Sequence, residues 1–298
     1  MLRSAMPAPS RSSSSLLDRL HARAPLLAVE LRPPRSGLSV GESMDSWIDM
    51  QVEVRRLAGQ DTVLFLTDNA VGQSEEENLR HLTTNLAQEI APARVVPFLT
   101  SKHSLDYCLM YARRAASFGY EALTVLGGDR TVGPPRCVAH AYELRAMIRE
   151  RAPELRLGGW ANPHRDPVQQ VEFLMRDDVA ADFYMTQVVS HHQLPAVEAF
   201  VNEAARRGLS LPGLFGVFYY RSANPRTLAT LSEFLPVPVE GITADFDAGL
   251  TAQEICALTI NALRSLDVRH VFLSNLGVRG VARRYRNIRA VVDPVGGV

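Results

Sequence analysis

The sequence predicts a single-domain α/β protein, a (β/α)8 TIM barrel. Eight short apolar runs recur along the chain, and segments with helical periodicity lie between them. Buried parallel strands read as continuous apolar runs, and strands that alternate with helices indicate a parallel sheet. The chain has 298 residues, and eight such units commonly close into a barrel of about 250 residues. The predicted strands cover residues 26–32, 62–68, 94–100, 122–128, 157–162, 182–189, 213–219 and 270–276.

The N-terminal segment is expected to stand apart from the barrel. Residues 1–14 are biased toward Ser, Pro and Ala, so we expect them to be disordered. A short helix over residues 16–22 is predicted to cover the bottom of the barrel, so that residues 1–24 form a tail and residues 25–298 form the barrel. The first strand runs into Pro33 and Pro34, which exclude helix and force an extended exit.

Helices are predicted between the strands by apolar periodicity and by residues that begin or end helices. Asp166 before Pro167, and Asn224 before Pro225, each place a capping side chain ahead of a proline at the first helical position. The predicted helices cover residues 44–58, 75–90, 104–118, 135–151, 167–177 and 194–207, with a seventh from residue 225 and a closing helix at 278–288.

The stretch between the seventh and eighth strands is the longest connection. It contains a predicted acidic loop at Asp245 and Asp247, followed by a helix over residues 251–266 that begins with a Thr251–Glu254 capping box. The stretch is too short for a second domain. We therefore expect a helical insertion on the barrel rim around residues 235–266.

Composition narrows the class of protein. The formal net charge is zero, so nothing indicates nucleic acid or an anionic membrane as a partner. The three cysteines are far apart and form no CxxC pair, which favours a reduced, cytoplasmic setting. No membrane span or secretory signal is expected. Lys102, in a polar loop, is the only lysine, so a Schiff-base mechanism would have to use it. The sequence leaves a homo-oligomer open.

Glu30 is the residue that most needs an explanation, because it lies inside the apolar first strand. A carboxylate in such a place is costly unless it is paired or functional. One interpretation is a structural ion pair with Arg32 or another barrel residue. The other is a carboxyl with a raised pKa that acts as a general acid at the mouth, where barrel chemistry takes place. Local evidence leaves both open.

Two further strand ends carry candidate side chains. Asp129 follows Gly127 and Gly128, so it either caps the next helix or approaches a ligand. The GxGxxG spacing is absent, so a Rossmann site is not indicated. Gln187 ends the sixth strand. Its amide could match the edge of a pterin or flavin, or it could be satisfied between strands.

A polar and aromatic cluster follows the fifth strand. Trp160 could stack on a ring system, and His164 could donate to a phosphate or simply lie in a surface loop. Arg176 is explained by a helix C-terminus, although it could also reach a phosphate. His191 and His192 are adjacent, and adjacent residues on a strand point to opposite faces. Since no third ligand is evident either, no metal site is predicted.

Taken in order, these strand ends resemble the methylenetetrahydrofolate reductase family. The likeness covers residues 26–290, and the ordered set is more specific than any one motif. The matching segments are Glu30-Leu-Arg-Pro-Pro-Arg35, Leu66-Thr67-Asp68-Asn69-Ala70, Leu126-Gly-Gly-Asp129, Trp160-Ala-Asn-Pro-His164 and Thr186-Gln187.

The resemblance implies an oxidoreductase of one-carbon metabolism and methionine biosynthesis. Such a barrel holds FAD, takes hydride from NAD(P)H and reduces 5,10-methylenetetrahydrofolate to 5-methyltetrahydrofolate. The resemblance makes Glu30 the general acid that opens the imidazolidine ring to an iminium. It makes Asp129 the group that stabilises developing positive charge near flavin and pterin, and Gln187 a folate ligand. The residues it assigns to the flavin are Thr67, Trp160, His164 and Arg176.

Departures from the family pattern keep other functions open. Phe98 stands where flavin-bearing members usually have His, and Gly127 replaces an arginine. Trp160 and Arg176 replace a tyrosine and a lysine, and Gln169 is nearest to an expected aspartate. This pattern suits a divergent FAD enzyme or a flavin-independent folate reductase. It also suits a folate-binding or methyl-transfer partner without redox activity, and an unrelated barrel enzyme such as a lyase is a further alternative.

Overall fold

Eight parallel strands close into a barrel in chain order, as the sequence predicts. The computed structural model describes residues 15–34, 37–67, 86, 89–128 and 133–293. Every predicted strand is present, with boundaries shifted by at most two residues. The strands are β1 (Leu27–Leu31), β2 (Leu64–Leu66), β3 (Val95–Thr100), β4 (Ala122–Leu126), β5 (Arg156–Ala161), β6 (Phe183–Val189), β7 (Gly213–Phe218) and β8 (Val271–Ser274).

Helices cover the outside of the barrel. They are α1 (Leu16–His21), α2 (Val40–Ala58), α3 (Leu105–Ser117), α4 (Ala141–Arg151), α5 (Pro167–Leu174), α6 (Leu194–Arg207), α7 (Pro225–Ser232), α8 (Val239–Asp247), α9 (Ala252–Ser265) and α10 (Val281–Val292). The helix predicted over residues 75–90 lies almost wholly outside the described residues. So does the tail predicted to be disordered, apart from α1.

Four of the described helices have a boundary that differs from the prediction by three residues or more, and one of them is α10, which covers Val281–Val292 rather than residues 278–288. Helix α2 begins four residues early, because Ser39 and Glu42 form a capping box that the apolar pattern did not reveal. Helix α4 begins at Ala141 rather than residue 135, since residues 133–140 form turns. Helix α5 ends at Leu174, and a short 3-10 helix, Asp177–Val179, follows it.

The strands separate two apolar layers. Alternate side chains point into the barrel, where Phe65, Phe98, Phe183, Met185 and Phe272 fill the interior. The other side chains point outward and form a larger core with the helices. The barrel is therefore a packed core that ends below its mouth, and Phe98 belongs to that packing.

Helix α1 lies against the bottom of the barrel. Its Leu16 and Leu20 are buried in the same cluster as the interior residues Leu26 and Ala28. A capping box of Ser15 and Asp18 fixes the start of the helix. The bottom is thus closed by apolar side chains, which leaves the opposite end as the accessible mouth.

The rim insertion differs in detail from the prediction. Asp245 and Asp247 lie at the end of helix α8 rather than in a loop. Helix α9 begins with the predicted Thr251–Glu254 capping box and packs against α10 and β7 in the outer ring. The extra helices are therefore α7 and α8. They cover a small apolar cluster that contains Val188, Phe218, Tyr220, Leu228, Ile242 and Ile255.

Cys108, Cys137 and Cys256 are all free thiols. Among the described helices, none combines the length and apolar character needed to cross a membrane.

Candidate functional site at the mouth of the barrel

A cavity of about 510 Å³ opens at the carboxyl ends of β4, β5 and β6. This is the end of a TIM barrel where active sites lie, and the volume is within the range of small-molecule sites. Its walls come from the end of β4, the turns before α4, the start of α4, and α5. The side chains that matter below are Arg136, Tyr142, Arg145, Trp160, Gln170 and Gln187.

Trp160 and Gln187, two of the predicted site residues, both line this cavity. Trp160 is 37% exposed, although it lies on a strand of the closed barrel, where most side chains are buried. Gln187 lies at an irregularity where the pairing of β6 with β7 shifts between Met185 and Val188. Bulges of this kind re-aim side chains next to active sites. An exposed aromatic ring and an amide therefore share one wall.

Two guanidinium groups contribute positive charge to the same cavity. Arg145 is only 5% exposed, and it donates to the carbonyls of Val179 (2.8 Å) and Val125 (3.2 Å). Burial lowers the pKa of Arg145 to about 10, so it is still charged at neutral pH. Arg136 donates to the Gly128 carbonyl. Since none of the described lining residues is acidic, the cavity favours an anionic group.

Gly127 explains how Arg136 reaches the strand end. A Cβ atom at Gly127 would lie 2.7 Å from the Arg136 Cζ atom, so any larger residue would displace the guanidinium. The arginine that the family pattern places in the strand is absent. An arginine from the following turns occupies the space beside the glycine instead.

Glu30 lies in the upper part of β1, with its side chain directed into the barrel beside Ser274 of β8. Its surroundings leave it only partly exposed to water. Burial raises the pKa of Glu30 above its ordinary value, against the opposing effects of the Arg32 charge and a hydrogen bond with Ser274. Each interpretation of Glu30 thus has an observation in its favour. The charge of Arg32 nearby suits a structural ion pair, and the raised pKa suits a general acid.

Two further predicted site residues, Thr67 and His164, do not line the cavity. The Thr67 hydroxyl donates to the Leu31 carbonyl (3.3 Å), and the His164 Nε2 atom bonds the Val188 carbonyl (2.9 Å). These polar atoms are therefore used within the barrel wall and do not line the cavity. Asp129, which the resemblance places near flavin and pterin, lies outside the described residues.

Arg176 reaches the cavity rim through an aromatic contact. Its guanidinium lies 4.7 Å from the ring centroid of Tyr142, a cavity residue, and it pairs with Asp178 at 2.7 Å. The hydrogen bonds with Asp178 raise the pKa of Arg176. A ligand phosphate at this position would have to compete with the Asp178 carboxylate.

The cavity residues match the flavin ring of FAD but not the rest of the cofactor. The exposed face of Trp160, the Gln187 amide and the two cavity arginines suit a planar ring with a hydrogen-bonding edge and an attached anionic group. Thr67 and His164 do not add to that surface. Trp160 and Gln187, with Arg176 at the rim, are the residues that would hold a flavin.

Sequence reasoning missed several cavity residues. Arg136 lies in the irregular segment before α4. Tyr142 and Arg145 lie near the N-terminus of α4, and Gln170 lies near the N-terminus of α5, where these helices border the mouth. Gln170, and not its neighbour Gln169, faces the cavity, and its side-chain oxygen accepts a hydrogen bond from the Asn162 backbone N–H. No strand-end motif carries these residues, so a search restricted to strand ends could not find them.

Lys102 lies in the loop after β3. It is buried at the end of β3, and its amine donates to the Pro134 carbonyl at 2.9 Å. The loop expected from the sequence is therefore present as a turn after β3, and its lysine is buried in it. A Cβ atom at Gly128 would lie 2.7 Å from the Lys102 Cγ atom.

The histidine pair contradicts the geometric argument made from the sequence. His191 and His192 lie on a 3-10 turn after β6 rather than on the strand, so their rings share one side, with centroids 3.9 Å apart. Asp245 of α8 contacts both rings, and it is the third group that the sequence did not reveal.

Comparisons with known proteins identify the fold. No protein-family model and no curated protein matches this chain. A solved structure of a Clostridium thermocellum protein, described as binding two copies of 5-methyl-5,6,7,8-tetrahydrofolic acid, is similar over 93% of this chain and 99% of that one. Its sequence identity is 14% and its TM-score 0.68.

Two enzymes are also similar in structure. The carboxyl transferase domain of Rhizobium etli pyruvate carboxylase matches 98% of this chain and 54% of that one, at 14% identity and a TM-score of 0.50. Proteus mirabilis N-acetylneuraminate lyase matches 91% of this chain and 81% of that one, at 11% identity and a TM-score of 0.50. Likeness at such low identity shows a shared barrel fold, and the fold alone does not identify the chemistry.

Proposed function

We propose that this chain binds a reduced folate at the barrel mouth and reduces 5,10-methylenetetrahydrofolate to 5-methyltetrahydrofolate with hydride from NAD(P)H. The observation that carries the proposal is Glu30, a carboxyl directed into the barrel mouth whose pKa is raised by burial. A group that retains its proton in this position is suited to act as a general acid. The free thiols are in keeping with a cytoplasmic enzyme.

The cavity supports a folate ligand by its chemistry. The pterin ring would stack on Trp160, and its hydrogen-bonding edge would meet the Gln187 amide. The carboxylates of the folate glutamate would be attracted by Arg136 and Arg145. The similar Clostridium thermocellum barrel, which binds a methylated tetrahydrofolate, adds support from outside the chain.

Glu30 would perform the proton step. Its carboxyl donates a proton to the nitrogen that leaves when the imidazolidine ring opens, and the iminium that results accepts the hydride at its methylene carbon. The Ser274 hydroxyl and the Arg32 charge stabilise the carboxylate that remains. Asp129, outside the described residues, is proposed from the resemblance to stabilise the positive charge of the iminium.

FAD is the proposed hydride carrier. When bound, it would accept hydride from NAD(P)H and pass it to the folate. Trp160, Gln187 and Arg176 would hold it. Because the hydride would pass directly from the flavin to the folate, the two would have to be bound at the mouth together and divide this wall of the cavity between them.

Purified protein tests the proposal in two measurements. The visible spectrum reports bound flavin, and NADH or NADPH oxidation with 5,10-methylenetetrahydrofolate reports turnover. We expect turnover to fall sharply in Glu30→Gln while 5-methyltetrahydrofolate binding persists. The matched control is Glu233→Gln, an exposed glutamate at the end of α7. A colourless protein with turnover would remove FAD from the proposal, and absence of turnover with either nucleotide would remove the reductase.

A second candidate is a folate-binding or methyl-transfer partner without redox activity. The observation that favours it is the internal use of the Thr67 and His164 polar atoms, which leaves the flavin surface incomplete. Tight binding of 5-methyltetrahydrofolate, together with neither flavin nor nucleotide oxidation, would establish this function in place of the first.

A further inference from the structure

Three metal-binding side chains converge on the barrel rim. The turn His191–Gln193 directly follows β6, and Asp245 approaches it from helix α8. The Asp245 Oδ2 atom lies 3.1 Å from His191 Nε2 and 2.8 Å from His192 Nε2. One atom from each residue forms a group within 4.8 Å. The side chains of His191, His192 and Asp245 are 16%, 27% and 13% exposed, so the group is shielded and still reachable from water.

The hydrogen bonds around His191 are compatible with a tautomer in which the lone pair of Nε2 faces Asp245. The Thr259 hydroxyl donates its single proton to the Ile255 carbonyl (3.3 Å), so toward His191 it can only accept. With the hydroxyl oriented in this way, His191 Nδ1, 2.9 Å away, is the protonated nitrogen. In the neutral imidazole, Nε2 carries a lone pair that faces a carboxylate oxygen. A cation between the two atoms makes that arrangement favourable, whereas without a cation the other tautomer would donate its Nε2 proton to Asp245.

Thr259 has the position of an outer partner in a histidine metal site. Histidines that bind metals commonly donate their second ring nitrogen to a fixed acceptor, which holds the tautomer and the ring orientation. Thr259 comes from α9, an element separate from those that supply His191 and Asp245. The cluster therefore has an outer shell as well as three ligands.

The spacing is close to that of zinc ligands. Ligand atoms about 2.0–2.1 Å from a tetrahedral Zn²⁺ ion lie roughly 3.3 Å apart. The separations of 3.1 Å and 2.8 Å from Asp245 are slightly shorter, so the carboxylate has to move by about 0.5 Å or less to admit an ion of this size. Gly241 makes the approach of α8 possible, since a Cβ atom there would lie 2.5 Å from the His192 Cγ atom.

We propose that His191, His192 and Asp245 form a Zn²⁺ site that fastens helix α8 to the end of β6. Three protein ligands leave a fourth position open to water, the arrangement of zinc sites that can also bind a ligand. Occupancy would hold the rim helices over the apolar cluster of Val188 and Ile242. The site is independent of the folate proposal, because none of its ligands lines the cavity.

The test measures metal binding by the untagged full chain. After removal of bound metal with EDTA, the chain is titrated with Zn²⁺ in competition with a chromophoric chelator, and with Co²⁺ to record the visible bands of a tetrahedral ion. We expect one Zn²⁺ per chain, tetrahedral Co²⁺ bands and a higher Tm with zinc. Asp245→Asn should lose all three. Asp247→Asn, which changes an exposed acid at the end of the same helix, should retain them.

Thr259→Val gives a second test that keeps all three ligands. Loss of the acceptor for His191 should weaken Zn²⁺ binding by about 10- to 100-fold while the stoichiometry stays at one per chain. The proposal is overturned if wild-type protein binds no zinc, or if Asp245→Asn binds it as well as wild type does. The cluster would then be an ordinary pairing of histidine with aspartate. The wild-type measurement alone can overturn the proposal, so it remains testable even if a variant fails to fold.

Discussion

At the scale of single residues, the burial that suits Glu30 to a proton-transfer role also lowers the stability of the fold. Burial raises its pKa, so the folded chain holds a proton that the unfolded chain releases in the window above pH 4.5, its ordinary value. Where the folded state binds more protons, the free energy of unfolding falls as pH rises. Glu30 therefore lowers stability at pH 7 and above, which is a cost expected of a functional residue more than of a structural one.

The first prediction concerns Glu30→Gln. The variant should have a higher Tm than wild type at pH 8, because it removes a carboxylate that is costly to bury, and the difference should shrink to zero below pH 4.5. Thermal denaturation across this pH range is the measurement, with Glu233→Gln as control. A lower Tm at pH 8 would mean that the pairing of Glu30 with Arg32 and Ser274 is what the fold requires.

The second prediction concerns Trp160. Trp160→Ala should weaken 5-methyltetrahydrofolate binding by about two- to tenfold or more, since aromatic stacking contributes about 0.5–1.5 kcal/mol beyond buried area. Trp160→Phe should retain most of the affinity because it keeps an aromatic face. Titration calorimetry measures both. Phe118→Ala, an exposed aromatic at the end of α3, is the control. Equal affinity in all three variants would place the folate elsewhere.

The sequence predicts some site residues because strand geometry determines where they point. Trp160 and Gln187 reach the cavity as expected, because side chains at the carboxyl ends of barrel strands face the mouth. Thr67 and His164 follow the same strand ends, yet their polar atoms bond neighbouring backbone carbonyls. A motif identifies the residue type at a position. It does not reveal which partner in the folded chain takes up the hydrogen bond.

At the scale of elements, two adjacent glycines in β5 have opposite roles. Gly158 points into the barrel, where a Cβ atom would lie 2.6 Å from the Phe183 ring. Gly159 points outward, where the nearest atom would be the Ala181 Cβ at 3.4 Å. The period of two along a strand therefore makes one glycine necessary and leaves the other replaceable.

The third prediction follows from that difference. Gly158→Ala should lower the free energy of unfolding by about 1–3 kcal/mol, because it overfills a packed interior. Gly159→Ala should change it little, since its new methyl group makes ordinary contacts. Urea unfolding of the two variants beside wild type is the measurement. Similar losses in both would show that β5 tolerates an added methyl group at neither position.

The elements themselves were predictable to different degrees. All eight strands were predictable from apolar runs, because a strand that is buried on both faces has apolar residues at nearly every position. Helix α8 was not predicted, since Asp245 and Asp247 suggested a loop and the apolar face of the helix is short. The encounter of Asp245 with the histidine pair depends on that helix. The cluster thus became visible only in three dimensions.

At the scale of the whole molecule, closure of the barrel depends on contacts between the two ends of the chain. Strand β1 pairs with β8, and the Leu26 N–H donates to the His270 Nδ1 atom at 3.2 Å. The Tyr285 hydroxyl of α10 donates to the Leu27 carbonyl at 3.0 Å. Burial lowers the pKa of His270, and the charges of Arg269 and His21 act in the same direction, against a hydrogen bond to the Leu20 backbone.

The last prediction is that barrel closure weakens in mild acid. A protonated His270 cannot accept the Leu26 N–H, so below pH 6.5, its ordinary value, the unfolded chain binds a proton that the folded chain excludes. Stability is therefore lost as pH falls from 6.5 toward the lowered folded pKa. His270→Gln should cost about 0.5–1.5 kcal/mol at pH 7.5, the range for one hydrogen bond, and should flatten this acid slope. His21→Gln, an exposed histidine at the same end, should leave most of the slope in place. Tm measured from pH 7.5 to 5 decides the matter, and an unchanged slope in His270→Gln would show that other groups control the acid sensitivity of the barrel.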